Sequence, residues 1–113
     1  MNEQAIPPNI SVHEVKQLLD RQEPLLLLDC RGRDEFDFVH LELATLIPMQ
    51  ELEVRLAELD DHRASRIVVY CHLGGRSQMV ADWLRQKGFV AVQNMTGGID
   101  AWAEEIDRTM PRY

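Results

Sequence analysis

A cysteine, two glycines, an arginine and a serine stand close together in Cys71-His72-Leu73-Gly74-Gly75-Arg76-Ser77, directly after the apolar run Ile67-Val68-Val69-Tyr70. The run reads as a buried strand, and Gln78 to Lys87 carries helical spacing. A loop between a strand end and a helix N-terminus turns its backbone amides toward one point, where the helix adds the positive end of its dipole. A thiol at the base of such a loop ionises more readily than free cysteine, which titrates near ~8.5. These residue types therefore specify a nucleophilic cysteine in an anion cradle. Cys71 is the nucleophile, and the amides from His72 through Leu73, Gly74, Gly75 and Arg76 to Ser77 form the cradle. Gly74 and Gly75 let the backbone turn at positive φ. Arg76 offers a planar fork of donors to an oxyanion, and Ser77 is placed to cap the following helix and to donate to sulfur. A cysteine that ends an apolar strand is commonly a small buried hydrophobe; the glycines, Arg76 and the helix start outweigh that reading for Cys71. It stands for Cys30.

The elements that must hold this loop can be read from periodicity. Met1 to Asn9, with Pro7-Pro8, reads as an extended lead-in, and Ile10 as a short strand at a sheet edge. Ser11 and Glu14 form a capping box, and Val12, Val15, Leu18 and Leu19 then give a helix to about Arg21. Leu25 to Leu28, wholly apolar between breakers, is a strand buried on both faces, ending in the turn Asp29-Cys30-Arg31-Gly32. Asp34 is the expected cap of a short helix through Glu35, Phe36 and Phe38. Ala44 to Ile47 is a strand closed by Pro48, and Glu51 to Leu59 an amphipathic helix with a Glu51–Arg55 pair. The helix after Cys71 has Met79, Val80, Trp83 and Leu84 inward and ends at Gly88. Phe89 to Val92 is the next strand, and Thr96 to Trp102 a glycine turn into a last short helix. The tail, Asp107 to Tyr113, is expected to be surface-bound or loose. Strands alternating with helices give a mainly parallel α/β sheet of about five strands with helices on both faces. In such sheets, sites lie outside the carboxyl ends of the strands, where both cysteines fall.

The chain has 113 residues, is 45% hydrophobic and 27% charged, and carries a formal net charge of -7. One domain over residues 1–113 is expected, with residues 1–9 as lead-in and 104–113 as tail. The acidic balance disfavours nucleic acid and anionic membranes as partners, and no run is long enough to span a bilayer. Two cysteines, Cys30 and Cys71, are too few for a disulfide framework and wrongly spaced for zinc. No metal or cofactor is implied. With no leader-like start, the expected compartment is the cytoplasm, where a thiol stays reduced.

In order along the chain stand Leu28-Asp29-Cys30-Arg31, Glu35-Phe36, His40 with Ala44 and Pro48, the Cys71 loop, and Gly97-Gly98-Ile99-Asp100-Ala101-Trp102. This set resembles the single-domain rhodaneses, a sulfurtransferase family, over roughly Ile10 to Trp102. The resemblance implies a three-layer rhodanese-like fold and transfer of a sulfane sulfur from thiosulfate or a persulfide donor, through a Cys71 persulfide, to a thiol or cyanide acceptor. It leaves room for a sulfur-relay protein as partner. Phosphatase-type relatives carry one residue more between cysteine and arginine; here Cys71 to Arg76 spans six residues, both ends counted. The tighter cradle suits a terminal sulfur better than a tetrahedral phosphate, and the loop holds no evident general acid for a departing alkoxide. The alternatives are a non-catalytic binding or regulatory module of the same fold and a small-oxyanion phosphatase or reductase. The pattern departs at Val39, Glu42 and Leu43, where the family has glycine before the histidine and Pro-Gly two residues after it. Asp29 and Arg31 are expected to support the site, Arg31 pairing with Glu35. His72 reads as a solvent-facing loop residue, His40 as a hydrogen-bonded framework residue, and Trp83 and Trp102 as core anchors.

Overall fold

Parallel strands alternate with helices from Asn9 onward in the computed structural model, which describes residues 6–113; the first part of the expected lead-in, residues 1–5, lies outside the described residues. The strands are β1 (Asn9–Ile10), β2 (Leu26–Asp29), β3 (Thr45–Leu46), β4 (Arg66–Tyr70) and β5 (Ala91–Met95). They form one sheet in the order β1-β5-β4-β2-β3, with every neighbouring pair parallel. The central position of β4 puts Cys71 at the middle of the sheet's carboxyl edge. Apolar runs suit this sheet because both faces are covered. Leu28, Ile67, Val69 and Val92 pack on one side with Val80, Ala81 and Leu84. Leu27, Val68, Tyr70 and Met95 pack on the other with Val12, Val15, Ile99 and Trp102.

Helix α1 (Val12–Asp20) starts at the expected capping box: the Glu14 amide donates to Ser11 Oγ at 3.1 Å, and the Ser11 amide donates to Glu14 Oε1 at 3.2 Å. Helix α2 (Arg33–Phe38) is capped at Gly32, not at Asp34, because Glu35 reaches back to the Gly32 amide at 3.1 Å. The expected amphipathic helix over Glu51 to Leu59 is broken. Only α3 (Leu52–Arg55) is α-helical, between 3-10 turns at Met49–Glu51 and Leu56–His62. Its apolar face survives, since Leu52 and Leu59 are buried, and Arg55 pairs with Glu51 as expected and also with Glu58.

Helix α4 (Gly75–Gln86) begins three residues before the spacing predicts and buries Ser77, Val80, Ala81 and Leu84. Met79, expected inward, is 62% exposed; the buried residues occupy the i, i+3, i+4, i+7 positions of one face, and Met79 falls outside that stripe. Strand β5 starts two residues later than expected. Phe89 is a buried side chain ahead of it, and the strand runs on through the polar pair Gln93 and Asn94. Helix α5 (Gly98–Glu105) packs on the same face as α1 through Ile99 and Trp102.

The departure at Leu43 has a structural correlate. Leu43 holds φ +73 and is 81% exposed, a left-handed conformation that glycine adopts without penalty. Leu43→Gly is therefore expected to stabilise the protein by about 0.5–1 kcal/mol after the entropy of the more flexible unfolded chain is subtracted. The measurement is the denaturant midpoint at an unchanged m-value.

Candidate functional site

Cys71 leaves β4 at the sheet's carboxyl edge, and the chain turns over it through Gly74, at φ +112, into α4. Cys71 is 1% exposed. Its Sγ receives the Gly74 amide at 3.1 Å and the Ser77 amide at 3.3 Å, and the Ser77 hydroxyl also lies at 3.3 Å. Burial pushes the thiol up; hydrogen bonds from the Ser77 hydroxyl and from the Ser77, Gly74 and Leu73 amides more than reverse this and leave it below its ordinary value. The charged sulfur is favoured by aimed donors against a dry setting. Gly75, expected to turn at positive φ beside Gly74, instead opens α4 with ordinary φ, and a β-carbon there would meet nothing within 4 Å.

The Gly97-Gly98 turn holds the loop from the other side. The Ile99 amide donates to the Cys71 carbonyl at 2.9 Å, and the Asp100 amide to the His72 carbonyl at 3.1 Å. A β-carbon on Gly98 would collide with both carbonyls, so this approach requires glycine. The glycine pair and the cysteine loop are two halves of one structure.

Arg76 does not stand alone in the site. Its Nη1 and Nη2 donate to Glu35 Oε1 and Oε2 at 2.8 and 2.9 Å, a bidentate pair that uses two of its five donors. Arg76 holds the Glu35 carboxyl down at about 2, with help from the Tyr113 hydroxyl and the Gly32 amide and against partial burial. The pair therefore persists throughout the neutral range. The expected Arg31–Glu35 ion pair is absent: Arg31 pairs with Asp29, both side chains fully buried, through contacts of 2.6 to 3.1 Å. Arg31 also donates to the Val39 carbonyl at 2.7 Å, fixing the segment that leads to His40. Asp29 and Arg31 thus brace the β2 turn beside the loop. His40 stacks on Phe36 at 3.7 Å and bonds its carbonyl at 2.8 Å, as a framework residue does.

The tail is bound. Arg112 pairs with Asp100, and Tyr113 donates to Glu35 Oε2 at 2.7 Å while accepting from Arg31 Nη1 at 2.8 Å. The Tyr113 ring stacks on His72 at 3.9 Å, so His72 is covered on that face instead of turned to solvent, and its Nε2 is buried without a partner. Glu35 as partner of Arg76, Tyr113 and Asn94 were not found from the sequence. Asn94 falls beyond the strand expected over Phe89 to Val92, and only the structure places it inside β5.

Cys30 is also 1% exposed and directs its thiol at the Tyr70 carbonyl at 3.5 Å. Burial first, then the neighbouring Cys71 and Asp29, push it up to about 12. The two thiols should therefore titrate far apart. In a Cys30→Ser protein, thiolate ultraviolet absorbance is expected to rise with a midpoint below the ordinary cysteine value. In a Cys71→Ser protein it should stay flat through neutral pH. A midpoint above the ordinary value in the first protein would show that desolvation outweighs the loop amides.

A cysteine cradled by amides at the carboxyl end of a central parallel strand defines the class: α/β domains that carry a thiol loop at a helix N-terminus. Within that class the chain belongs to the rhodanese-like domain family, whose pattern matches residues 11–105. Among its relatives is the adenylyltransferase and sulfurtransferase MOCS3-1 of Zea mays, 35% identical over 109 residues, covering 92% of this chain but 23% of the relative. Another is the putative sulfur carrier protein YrkF of Bacillus subtilis, 36% identical over 100 residues, covering 88% of this chain and 53% of the relative. The chain thus spans between about a quarter and half of these proteins. The fold agrees with a rhodanese-like domain protein from Staphylococcus aureus (TM-score 0.80, 25% identity, 95% of this chain and 99% of that one). It agrees also with the human single-domain sulfurtransferase TSTD1 (TM-score 0.76, 25% identity, 88% and 98%). The family supports a sulfurtransferase role.

Proposed function

We propose that the protein moves a sulfane sulfur through a persulfide on Cys71. The observation that carries this reading is the Cys71 sulfur held at 3.1 and 3.3 Å from the Gly74 and Ser77 amides, in a loop of six residues from Cys71 to Arg76. In the first step the Cys71 thiolate attacks the outer sulfur of a donor such as thiosulfate. The donor's S–S bond breaks, and sulfite leaves with the bonding pair. In the second, a thiolate or cyanide acceptor attacks the terminal sulfur of the persulfide, and the Cys71 thiolate leaves in turn. The loop amides stabilise the anion before and after each step, where preorganised donors are most effective. The Arg76 donors not used by Glu35 bind the sulfonate end of thiosulfate. His72, Leu73, Gly74, Gly75 and Ser77 form the wall around the transferred sulfur, with Asp29 and Arg31 supporting it. The sulfur donors and acceptors are small molecules or a sulfur-relay protein, in the reducing cytoplasm where a free thiol persists.

The competing chemistry is hydrolysis of a phosphate ester by the same thiolate. Assayed side by side, thiosulfate with cyanide is expected to yield thiocyanate with turnover, and an aryl phosphate no faster release than buffer alone. Phosphate release that exceeds thiocyanate formation would replace sulfur transfer with oxyanion hydrolysis. Silence in both assays, and with persulfide donors, would favour a non-catalytic module.

A further inference from the structure

The Ser77 hydroxyl has one proton and three acceptors within reach: Cys71 Sγ and the Gly74 carbonyl, each at 3.3 Å, and Asn94 Oδ1 at 2.5 Å. While the thiol is neutral, the short contact takes the proton and the sulfur keeps its amide donors; only the anion draws the hydroxyl proton to itself. Asn94 is 5% exposed in β5, and its Nδ2 donates to Asn9 Oδ1 at 3.3 Å. Asn9 is exposed, and with Asn94, Gln78 and Thr96 it lines a cleft of about 370 Å³ beside Gly74 and Gly75. A carboxamide turned end for end has nearly the same shape but exchanges donor for acceptor. Rotated, Asn94 donates to Ser77 Oγ, the Ser77 proton goes to sulfur, and the exposed Asn9 amide turns to donate to Asn94 Oδ1. One chain of groups, Asn9–Asn94–Ser77–Cys71, therefore has two polarities. The outward one suits a neutral thiol and the inward one a thiolate or persulfide anion.

We propose that Asn94 is a positioning residue that directs the single Ser77 proton, taking it while Cys71 is neutral and returning it when the sulfur is an anion. This rests on reading Cys71 as the working anion of the protein. The titratable groups that interact with the thiol come from different elements: Cys30 at the end of β2, and Arg76 of α4 with its partner Glu35 of α2; the nearest charge of α5, Asp100, is paired with Arg112. Strand β5 presents Asn94 to Ser77 and β1 presents Asn9 to Asn94, and neither strand carries a charged residue. That makes Asn94 the place where a donor-to-acceptor exchange can be tested against a neutral background.

Asn94→Asp supplies only acceptors when ionised, which holds the Ser77 proton away from sulfur. In the Cys30→Ser protein, this substitution is expected to raise the Cys71 thiolate midpoint by about one pH unit, tenfold less thiolate below it. Repeated in Cys30→Ser/Ser77→Ala, where no hydroxyl proton exists to misdirect, it should move the midpoint less than half as far. Equal shifts in the two backgrounds, or none in the first, would overturn the proposal, because Asn94 would then act by charge or not at all. Should the aspartate variant fail to fold, the Asn94 side-chain amide resonances of the ¹⁵N-labelled wild-type protein serve instead. They should follow the Cys71 titration and stop doing so in Ser77→Ala; resonances that ignore the Cys71 titration in the wild type would equally refute the role. Sulfur loading of the wild type is scored separately, so failure of the relay leaves the persulfide reading standing.

Discussion

Replacing Cys71 by serine is expected to lower thiocyanate formation from thiosulfate by at least ~10³-fold, since the residue that forms the covalent intermediate cannot be bypassed. The change is one atom. A serine hydroxyl fits the same space and accepts the same Gly74 and Ser77 amides that meet Sγ at 3.1 and 3.3 Å, so far-ultraviolet circular dichroism and thermal midpoint should stay close to wild type. What is lost is the anion, because an aliphatic hydroxyl is not ionised by a few aimed amides. The companion substitution Cys30→Ser should leave the rate within about twofold, since that thiol is buried, pushed up to about 12 and directed at the Tyr70 carbonyl. Equal losses for the two variants would mean that Cys30 takes part, for example as a resolving thiol at the neighbouring strand end.

The largest expected effect on stability is at Asp29. Its carboxylate meets Arg31 Nε and Nη2 and the Arg31 amide, and both side chains are fully buried. Asp29→Ala strands a guanidinium in the protein interior, which costs about 3–5 kcal/mol. In a domain of this size that corresponds to a fall in Tm of roughly 12–20 °C. Asp29→Leu/Arg31→Met should recover most of the loss, because removing both charges removes the stranded one. It should also loosen the segment at Val39, whose carbonyl accepts from Arg31 at 2.7 Å. A loss below about 1 kcal/mol for Asp29→Ala would indicate that Arg31 is solvated on removal of its partner.

The sequence made some parts of this molecule plain and concealed others for identifiable reasons. The capping box at Ser11 and Glu14, the apolar strands β2 and β4, the left-handed Gly88 and the edge strand at Ile10 are local patterns, and they occur where expected. Apolar content alone places β5 two residues too early. In the fold, Phe89 packs outside the strand while Gln93 and Asn94 lie within it, bonded to Pro7 and to Ser77. The Cys71 loop was legible because it is contiguous. Its surroundings were not. Glu35 and Arg76 are 41 positions apart, and Tyr113 is 78 from Glu35, and nothing in local periodicity joins such partners. Proximity in sequence suggested Arg31 for Glu35, but Asp29, two residues from Arg31, takes that guanidinium at the β2 turn. The Leu43 position shows the reverse case, since a departure from the family pattern marked a residue that holds φ +73.

The central claim is that sulfur is carried covalently on Cys71, and intact-mass spectrometry of the wild-type protein tests it most directly. After incubation with thiosulfate and removal of the donor, one added sulfur, ~32 Da, is expected. Peptide mapping should place it on Cys71, and cyanide should remove it with release of thiocyanate. An unchanged mass with thiosulfate and with persulfide donors, or an adduct that maps to Cys30, would contradict it.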